Sequence, residues 1–287
     1  MIDYVNAVLQ GILLGGLYAL FATGLSLAFG VMRFVNLAHG DLAVLGAYLI
    51  LSTSTLLGVS PWLALPIVIV GGAGLGFVTQ AGLFNRTLGD NPMPSILVTF
   101  GLGVVIQNGL LEHYSATQQR LDIGSIVTKS VSFGKISLGV LPLVILATAI
   151  VLLAVLEVAL RTTRFGRAFR ATADDARTAQ LSGIDDRVMY ASAMGISFAT
   201  LAIAGFFLGS RTTFAPAVGP ALLLFGFEAV VIGGIGSLWG TLLGGVVLGV
   251  SQTLANQISI GWDLLAGHLV FLAILLFRPN GLLGAKQ

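Results

Sequence analysis

Long apolar runs separated by short polar breaks dominate the chain, and few stretches show the one-sided period of a soluble amphipathic helix. Six runs stand out, at approximately 4–30, 41–57, 62–84, 94–111, 138–160 and 188–209. A helix rises about 1.5 Å per residue and a bilayer's hydrocarbon core is about 30 Å thick, so each run is close to the roughly 20 residues a crossing needs. Beyond residue 220 the pattern changes. The runs 221–235, 238–255 and 264–277 are apolar but short and thick with glycine. One of the three is expected to be re-entrant or broken, which is tolerated where backbone is buried in protein or lines a wet cavity. The pattern predicts an all-α fold: one polytopic membrane bundle of eight or nine segments, spanning residues 1–287 as a single domain.

Composition sharpens this reading. Of 287 residues, 56% are hydrophobic and only 9% charged, and mean hydropathy is +0.98. A soluble domain carries about 25% charged residues, so an ordinary soluble enzyme is excluded. The 38 glycines sit inside apolar runs without a collagen-like period, which suits close helix packing in lipid. The absence of cysteine excludes disulfides and thiolate chemistry. A net charge of +2 gives no basis for nucleic-acid binding. Residues 1–10 lack Lys and Arg and the first run continues to Gly30; this segment is expected to stay in the mature protein, not to be cleaved as a signal peptide.

Charge asymmetry orients the bundle. Arg161, Arg164, Arg167, Arg170, Arg177 and Arg187 fall in one short segment, and cytoplasmic loops are enriched in such residues. With 161–187 inside, the turns 33–40 and 85–93 are also inside, and the N-terminus and the loop 112–137 are outside. That outer loop, polar with β-like alternation, holds Arg120, Lys129 and Lys135 against the trend. It serves either as a surface connection or as a contact face for an external partner.

Motifs for intrinsic chemistry are missing. Gly134-Lys135 is followed by Ile136 and preceded by Lys129 where a phosphate loop needs glycine. The glycine clusters 71–76 and 233–236 lack dinucleotide-binding spacing. His39, His113 and His268 have no second histidine at helical spacing, and no metal site is expected. There is no G-x-S-x-G elbow, and no membrane carboxylate pairs with a histidine at helical spacing. Catalytic residues are therefore none. Any nucleotide energy must come from a partner.

Ionisable groups in lipid often mark pathways; here they are Asp41, Glu157, Glu228 and Asp263. Glu157 and Asp263 read as interfacial. Glu228 reads either as a helix-packing hydrogen bond or as a conduit-facing group. Gly236, Gly240 and Gly244 recur every four residues, as do Gly11 with Gly15 and Gly72 with Gly76; each set predicts a smooth helix face for close packing, within the chain or between subunits. In 161–187, alanines at 168, 171, 173, 176 and 179 favour helix, Arg170 can pair with Asp174, and Gly183 supplies a stop. Two short helices meeting at an angle are expected there, as a solvated connector or as a docking element that places Ala and Phe side chains in a partner's groove.

Four motifs, in order, resemble one family. They are Asn36-Leu-Ala-His-Gly-Asp41; Gly166-Arg-Ala through Ala173-Asp-Asp to Ala179 and Gly183-Ile184; Gly233-Gly-Ile-Gly-Ser-Leu-Trp-Gly240; and Pro279-Asn-Gly-Leu-Leu-Gly284. Together they resemble the permease subunits of branched-chain amino acid ABC importers, LivH type. Asn85-Arg-Thr87 stands where that family often has Y-R-P, and Glu228 where many members have Lys. The resemblance implies half of a translocation pathway in a bacterial inner membrane. A second permease, LivM-like or a copy of this chain, two cytosolic ATPases holding ATP and Mg, and an external solute-binding protein would complete it. It implies no cofactor in this chain. It places Arg167, Arg170, Ala173, Asp174, Asp175, Ala179, Gly183 and Ile184 in an ATPase-coupling loop, and makes Asn36, His39, Gly40 and Asp41 a polar break that borders the translocation pathway together with Glu228. A plainer reading of Asn36 or Asp41 is helix capping. The implied solutes are leucine, isoleucine and valine, with urea, short amides or another amino acid as alternatives. An autonomous carrier or channel would need ion-coupling residues inside and would work without ATP; a membrane enzyme would need a reactive cluster.

Overall fold

In a computed structural model, which describes residues 2–89, 91–134 and 136–284, the apolar runs form helices with bounds close to those expected. In order these are α1 (Ile2–Met32), α2 (His39–Leu57), α3 (Pro61–Gly82), α4 (Met93–Tyr114), α5 (Val140–Thr162), α6 (Arg164–Asp174), α7 (Ala176–Leu181), α8 (Asp186–Arg211), α9 (Gly219–Gly233), α10 (Leu238–Ile258) and α11 (Asp263–Phe277). Eight are long and apolar enough to cross a membrane, when short 3-10 turns are counted with α3 and α9. The chain is a multi-pass membrane protein. At 15 residues, α11 is about 22 Å long and falls short of the hydrocarbon thickness.

Local chemistry sets many of the boundaries. Pro61 opens α3, where its missing N–H costs nothing. Gly58 closes α2 with φ of 63°, a conformation that penalises any residue with a Cβ. Asp185 caps α8 by accepting from the N–H groups of Arg187 and Val188, and Ser237 caps α10 by accepting from Gly240.

Three expectations are corrected. The run 138–160 becomes helical only from Val140, because Ile136–Gly139 pairs antiparallel with Ser130–Phe133 as a hairpin, β2 with β1; Ile136 and Leu138 belong to a strand's alternation. Of the two alternatives for the segments after 220, the broken helix is not found among the described residues: α9, α10 and α11 are each continuous, and the irregular backbone is the extended stretch and 3-10 turn that lead into α9. Gly236 does not share a helix face with Gly240 and Gly244. It lies in the α9–α10 turn at φ of 81°, beside Gly234 at 103°.

Helices α1 and α8 form the buried centre, and glycine lets their neighbours approach. A Cβ on Gly15 of α1 would lie 2.5 Å from Val246 Cα and 2.7 Å from Gly245 O of α10, and one on Gly249 would overlap Gly11 O. Thr253 of α10 donates across the same crossing to Ala7 O at 2.8 Å. Gly76 of α3 abuts Met194 O of α8, and Gly240 and Gly244 abut α9 at Gly233 and Ala229. In lipid, where apolar burial drives helices together only weakly, such backbone proximity supplies dispersion contact that side chains would block.

The two ends of the bundle are chemically distinct. At one, Arg33 donates to Ala173 O and Asn85 to Arg187 O, both at 3.4 Å, which gathers the turns 33–38 and 83–89 beside 161–187. Arg86 and Arg278 belong to the same end. At the other, Gln10 donates to Ser137 O at 3.0 Å, and Gln119 and Phe214 exchange backbone bonds at 2.8 and 2.9 Å. The described cations there are Arg120, Lys129 and Arg211; Lys135 lies outside the described residues.

Candidate functional site

The segment 161–187 forms the two short helices expected, α6 and α7. Thr163 accepts from Gly166 N–H at 2.9 Å to start α6. Gly166 is needed there: a Cβ would overlap Leu160 O. Phe169, 4% exposed, anchors α6 in a cluster with Leu27 and Val31 of α1 and Ala193 of α8. The chain then breaks at Asp175, whose backbone is extended. Its carboxylate accepts from the Thr178 hydroxyl at 2.7 Å and from the Thr178 and Arg177 N–H groups at 3.2 and 2.9 Å. The Thr178 hydroxyl first, and then these amides, hold the Asp175 carboxyl below the usual carboxylate range. Gly183, at φ of 81°, ends the unit as its N–H donates to Gln180 O and that of Ile184 to Ala179 O.

This geometry sorts the eight coupling candidates. Arg167, Arg170, Asp174, Asp175 and Gly183 are exposed; Ala173 and Ile184 are half-buried and Ala179 is buried. The expected Arg170–Asp174 pair does not form among the described residues: Asp174 is the last residue of α6, where the helix gives way to extended backbone. Sequence reasoning missed Leu181, which is 90% exposed at the end of α7. An isolated apolar side chain on a charged surface element is the available signal for a contact point.

The polar break between α1 and α2 is buried. Asn36 Oδ1 accepts from Ala38 N–H at 3.0 Å, and Leu37 N–H donates to Thr99 of α4 at 3.2 Å. His39 Nε2 donates to Phe21 O at 2.8 Å. Phe21 lies eleven residues before the end of α1, so the His39 ring reaches a level about 16 Å back along that helix, and α2 begins among buried residues within the bundle. Of the two proposed caps, Asn36 does bond a free N–H. Asp41 does not: its Oδ1 has no hydrogen-bond partner although the residue is buried. It fits a slot made by glycines. A Cβ on Gly219, the first residue of α9, would overlap Asp41 Oδ1, one on Gly103 of α4 would lie 2.7 Å from Asp41 Oδ2, and one on Gly40 would overlap Gly219 O. Two helix starts, those of α2 and α9, thus meet around one buried carboxyl group.

Glu228 stands apart from this cluster. It is 1% exposed on α9 and bonds His268 Nδ1 of α11 at 2.5 Å. Helical spacing does not reveal this carboxylate–histidine pair because the partners are 40 residues apart and meet only through packing. The His268 side chain is 36% exposed, so His268→Ala is expected to cost about 2–3 kcal/mol, less than the 3–5 of a fully buried pair that loses one member. Replacing both with leucine should recover most of that loss; thermal unfolding in detergent measures both, and equal losses for single and double variants would refute the coupling. Among the described residues, no group of three or more His, Asp or Glu is placed to hold a metal ion.

Comparison with known proteins adds a second line of argument. The family model described as "Branched-chain amino acid transport system / permease component" matches residues 7–278. The chain belongs to this family. Among its relatives, the high-affinity branched-chain amino acid transport system permease protein BraD of Pseudomonas aeruginosa is 26% identical over 99% of this chain and 97% of its own length. The probable branched-chain amino acid transport permease protein LivH of Methanocaldococcus jannaschii is 30% identical over 96% and 92%. The high-affinity branched-chain amino acid transport system permease protein LivM of Escherichia coli is 27% identical over 93% and 68%. No solved structure matches. In this family member, the two-helix segment and the Asp41 slot both lie inside the matched region. These relatives are named as transport permeases.

Proposed function

We propose that this permease forms half of the pathway by which an ATP-driven importer carries leucine, isoleucine and valine across a bacterial inner membrane. The carrying observation is the α6–α7 unit. It is capped at both helix starts, anchored to the central helices by Phe169, and presents Arg167, Arg170, Asp174 and Leu181 outward. A short element rooted in the core and charged outside transmits a partner's movement to α1 and α8. Two cytosolic ATPases dock there and hold the ATP and Mg; the positive-inside bias of that end supports its cytoplasmic placement. A second permease, LivM-like or a copy of this chain, completes the pathway, and an external protein delivers the solute. Asn36, His39, Gly40 and Asp41 govern the passage from their position where two helices start within the bundle, and the Glu228–His268 pair braces α9 farther along that helix.

The test is uptake by vesicles that contain this chain with its genomic neighbours. Leucine entry, competed by isoleucine and valine, should require both ATP and the binding protein. Arg170→Glu should lower co-purification of the ATPase at least tenfold while the permease still inserts. Uptake without ATP would replace this reading with an autonomous carrier. ATP hydrolysis without leucine entry would move the solute to urea, short amides or another amino acid, and undiminished co-purification would refute the docking assignment.

A further inference from the structure

Arg33, the first residue after α1, holds a backbone conformation that its own side chain opposes. Its φ is 55°, and among the described residues only Ser115 shares a positive φ without being glycine. An L residue is disfavoured there because its Cβ crowds the following carbonyl oxygen, which is why helices so often end on glycine. The Arg33 N–H nevertheless donates to Phe29 O at 2.9 Å and closes α1, so glycine would fill this place without strain. An exposed arginine where glycine fits better points to a use for its side chain. That side chain spans 140 residues of sequence to reach α6. Its Nη2 donates at 3.4 Å to Ala173 O, a carbonyl of the last turn of α6 that no backbone N–H reaches among the described residues. Both residues border a cleft of about 490 Å³ that also runs past Asp174, Asp175 and Tyr190. Phe169 fastens α6 to Leu27 and Val31 farther up α1; Arg33 fastens the far end of α6, next to the break at Asp175.

We infer that Arg33 is a positioning residue for transport: its hold on Ala173 O passes movement of the α6–α7 unit to the break at Asn36–Asp41. The inference rests on the coupling role proposed for that unit. On the other side of Arg33 the chain enters the break within three residues. Phe34 is buried with its ring 6.3 Å from that of Phe84, and Asn36 is buried in turn. One strained residue thus joins an exposed, charged element to a buried polar one. When the ATPase shifts α6, the guanidinium pulls on a backbone already held away from its preferred conformation, and the short buried stretch 34–36 carries the shift to the start of α2. At 3.4 Å the bond is longer than the usual span of about 2.7–3.2 Å, which suits a contact made and released in each cycle better than a fixed brace. Arginine suits the place because its planar head offers several N–H groups, so one carbonyl is kept while the helix tilts.

The chain has no cysteine, so Leu37→Cys, at a half-buried place in the break, introduces a single thiol whose labelling by a maleimide is counted on this chain alone. The complex with its ATPase, in detergent with or without ATP and orthovanadate, is labelled and the mass of the permease is read. Trapping should change the labelling rate at least threefold. Adding Arg33→Gly should abolish that change while the ATPase still co-purifies. This variant should melt no lower than the Leu37→Cys parent, because glycine relieves the backbone as the contact is lost. Arg33→Ala should lose the change too but melt lower than Arg33→Gly, and Arg33→Lys should keep at least half of it. An undiminished change with Arg33→Gly would overturn the inference, as would a labelling rate in the parent that trapping leaves unaltered. Loss of ATPase co-purification with Arg33→Gly would overturn it as well, by making Arg33 a docking residue. None of these outcomes depends on which solute enters, whereas the proposed function stands or falls on ATP-dependent uptake by the wild type.

Discussion

Gly15→Leu is expected to abolish the folded protein. The Cβ alone would sit 2.5 Å from Val246 Cα and 2.7 Å from Gly245 O, and both are backbone atoms that no rotamer change can move aside. Helices α1 and α10 would have to separate along the crossing where Gly11, Gly245 and Gly249 also interlock. Overpacking a tight site typically costs 1–3 kcal/mol, and here the displaced contact is helix against helix, so a loss on the order of 3 kcal/mol or more is expected. No hydrophobic effect between helices offsets it in lipid. The matched control is Gly71→Leu on α3, an exposed position with nothing within 4 Å of its Cβ. By size-exclusion chromatography in detergent, Gly71→Leu should give the wild-type peak and Gly15→Leu none. If both variants elute alike, the α1–α10 crossing is not what holds the bundle together.

That contrast shows where sequence reasoning works and where it stops. The apolar runs were legible because a membrane span must be long and apolar whatever it packs against, and α2, α3 and α8 begin and end within about two residues of the expected bounds. Gly15 was legible as a small-residue position, because a four-residue period survives in one dimension. Gly236 followed the same period yet left the helix, because Gly234 and Gly236 both adopt positive φ in a turn, and spacing alone does not distinguish a smooth face from a turn that happens to continue it. The two-helix unit at 161–187 was legible from alanines and a stop glycine. The place of the break between them was not, because Asp175 ends α6 by capping α7, and the ion pair expected one residue earlier loses its helix. The Glu228–His268 bond and the depth of His39 are properties of packing between distant segments. No local pattern encodes them.

The depth of the α2 start carries the second large prediction, at Asp41. Its slot is shaped by Gly40, Gly103 and Gly219, so the site specifies a side chain of aspartate's length. Asp41 is the third residue of α2, next to that helix's unpaired N–H groups, and it touches the first residue of α9. Both helix starts carry positive partial charge, and an acceptor placed between them is stabilised by up to about 2 kcal/mol in a partly buried setting. Asp41→Asn keeps the length but replaces an acceptor oxygen with an NH₂ group beside the positive ends of two helices. It should lower the unfolding free energy by about 1–2 kcal/mol and, on the proposed role of this junction in the passage, reduce ATP-driven uptake at least tenfold. Asp41→Glu keeps the carboxyl group but adds a methylene where a Cβ on Gly219 already has no room. It should be the less stable of the two, the reverse of what a charge requirement alone would give. Vesicle uptake and thermal unfolding of the three proteins separate the cases. A glutamate variant that melts and transports as the wild type does would mean that the slot is not sterically closed. An asparagine variant with full uptake would mean that the acceptor between the two helix starts plays no part in transport, and that the break between α1 and α2 is a bend in the chain and nothing more.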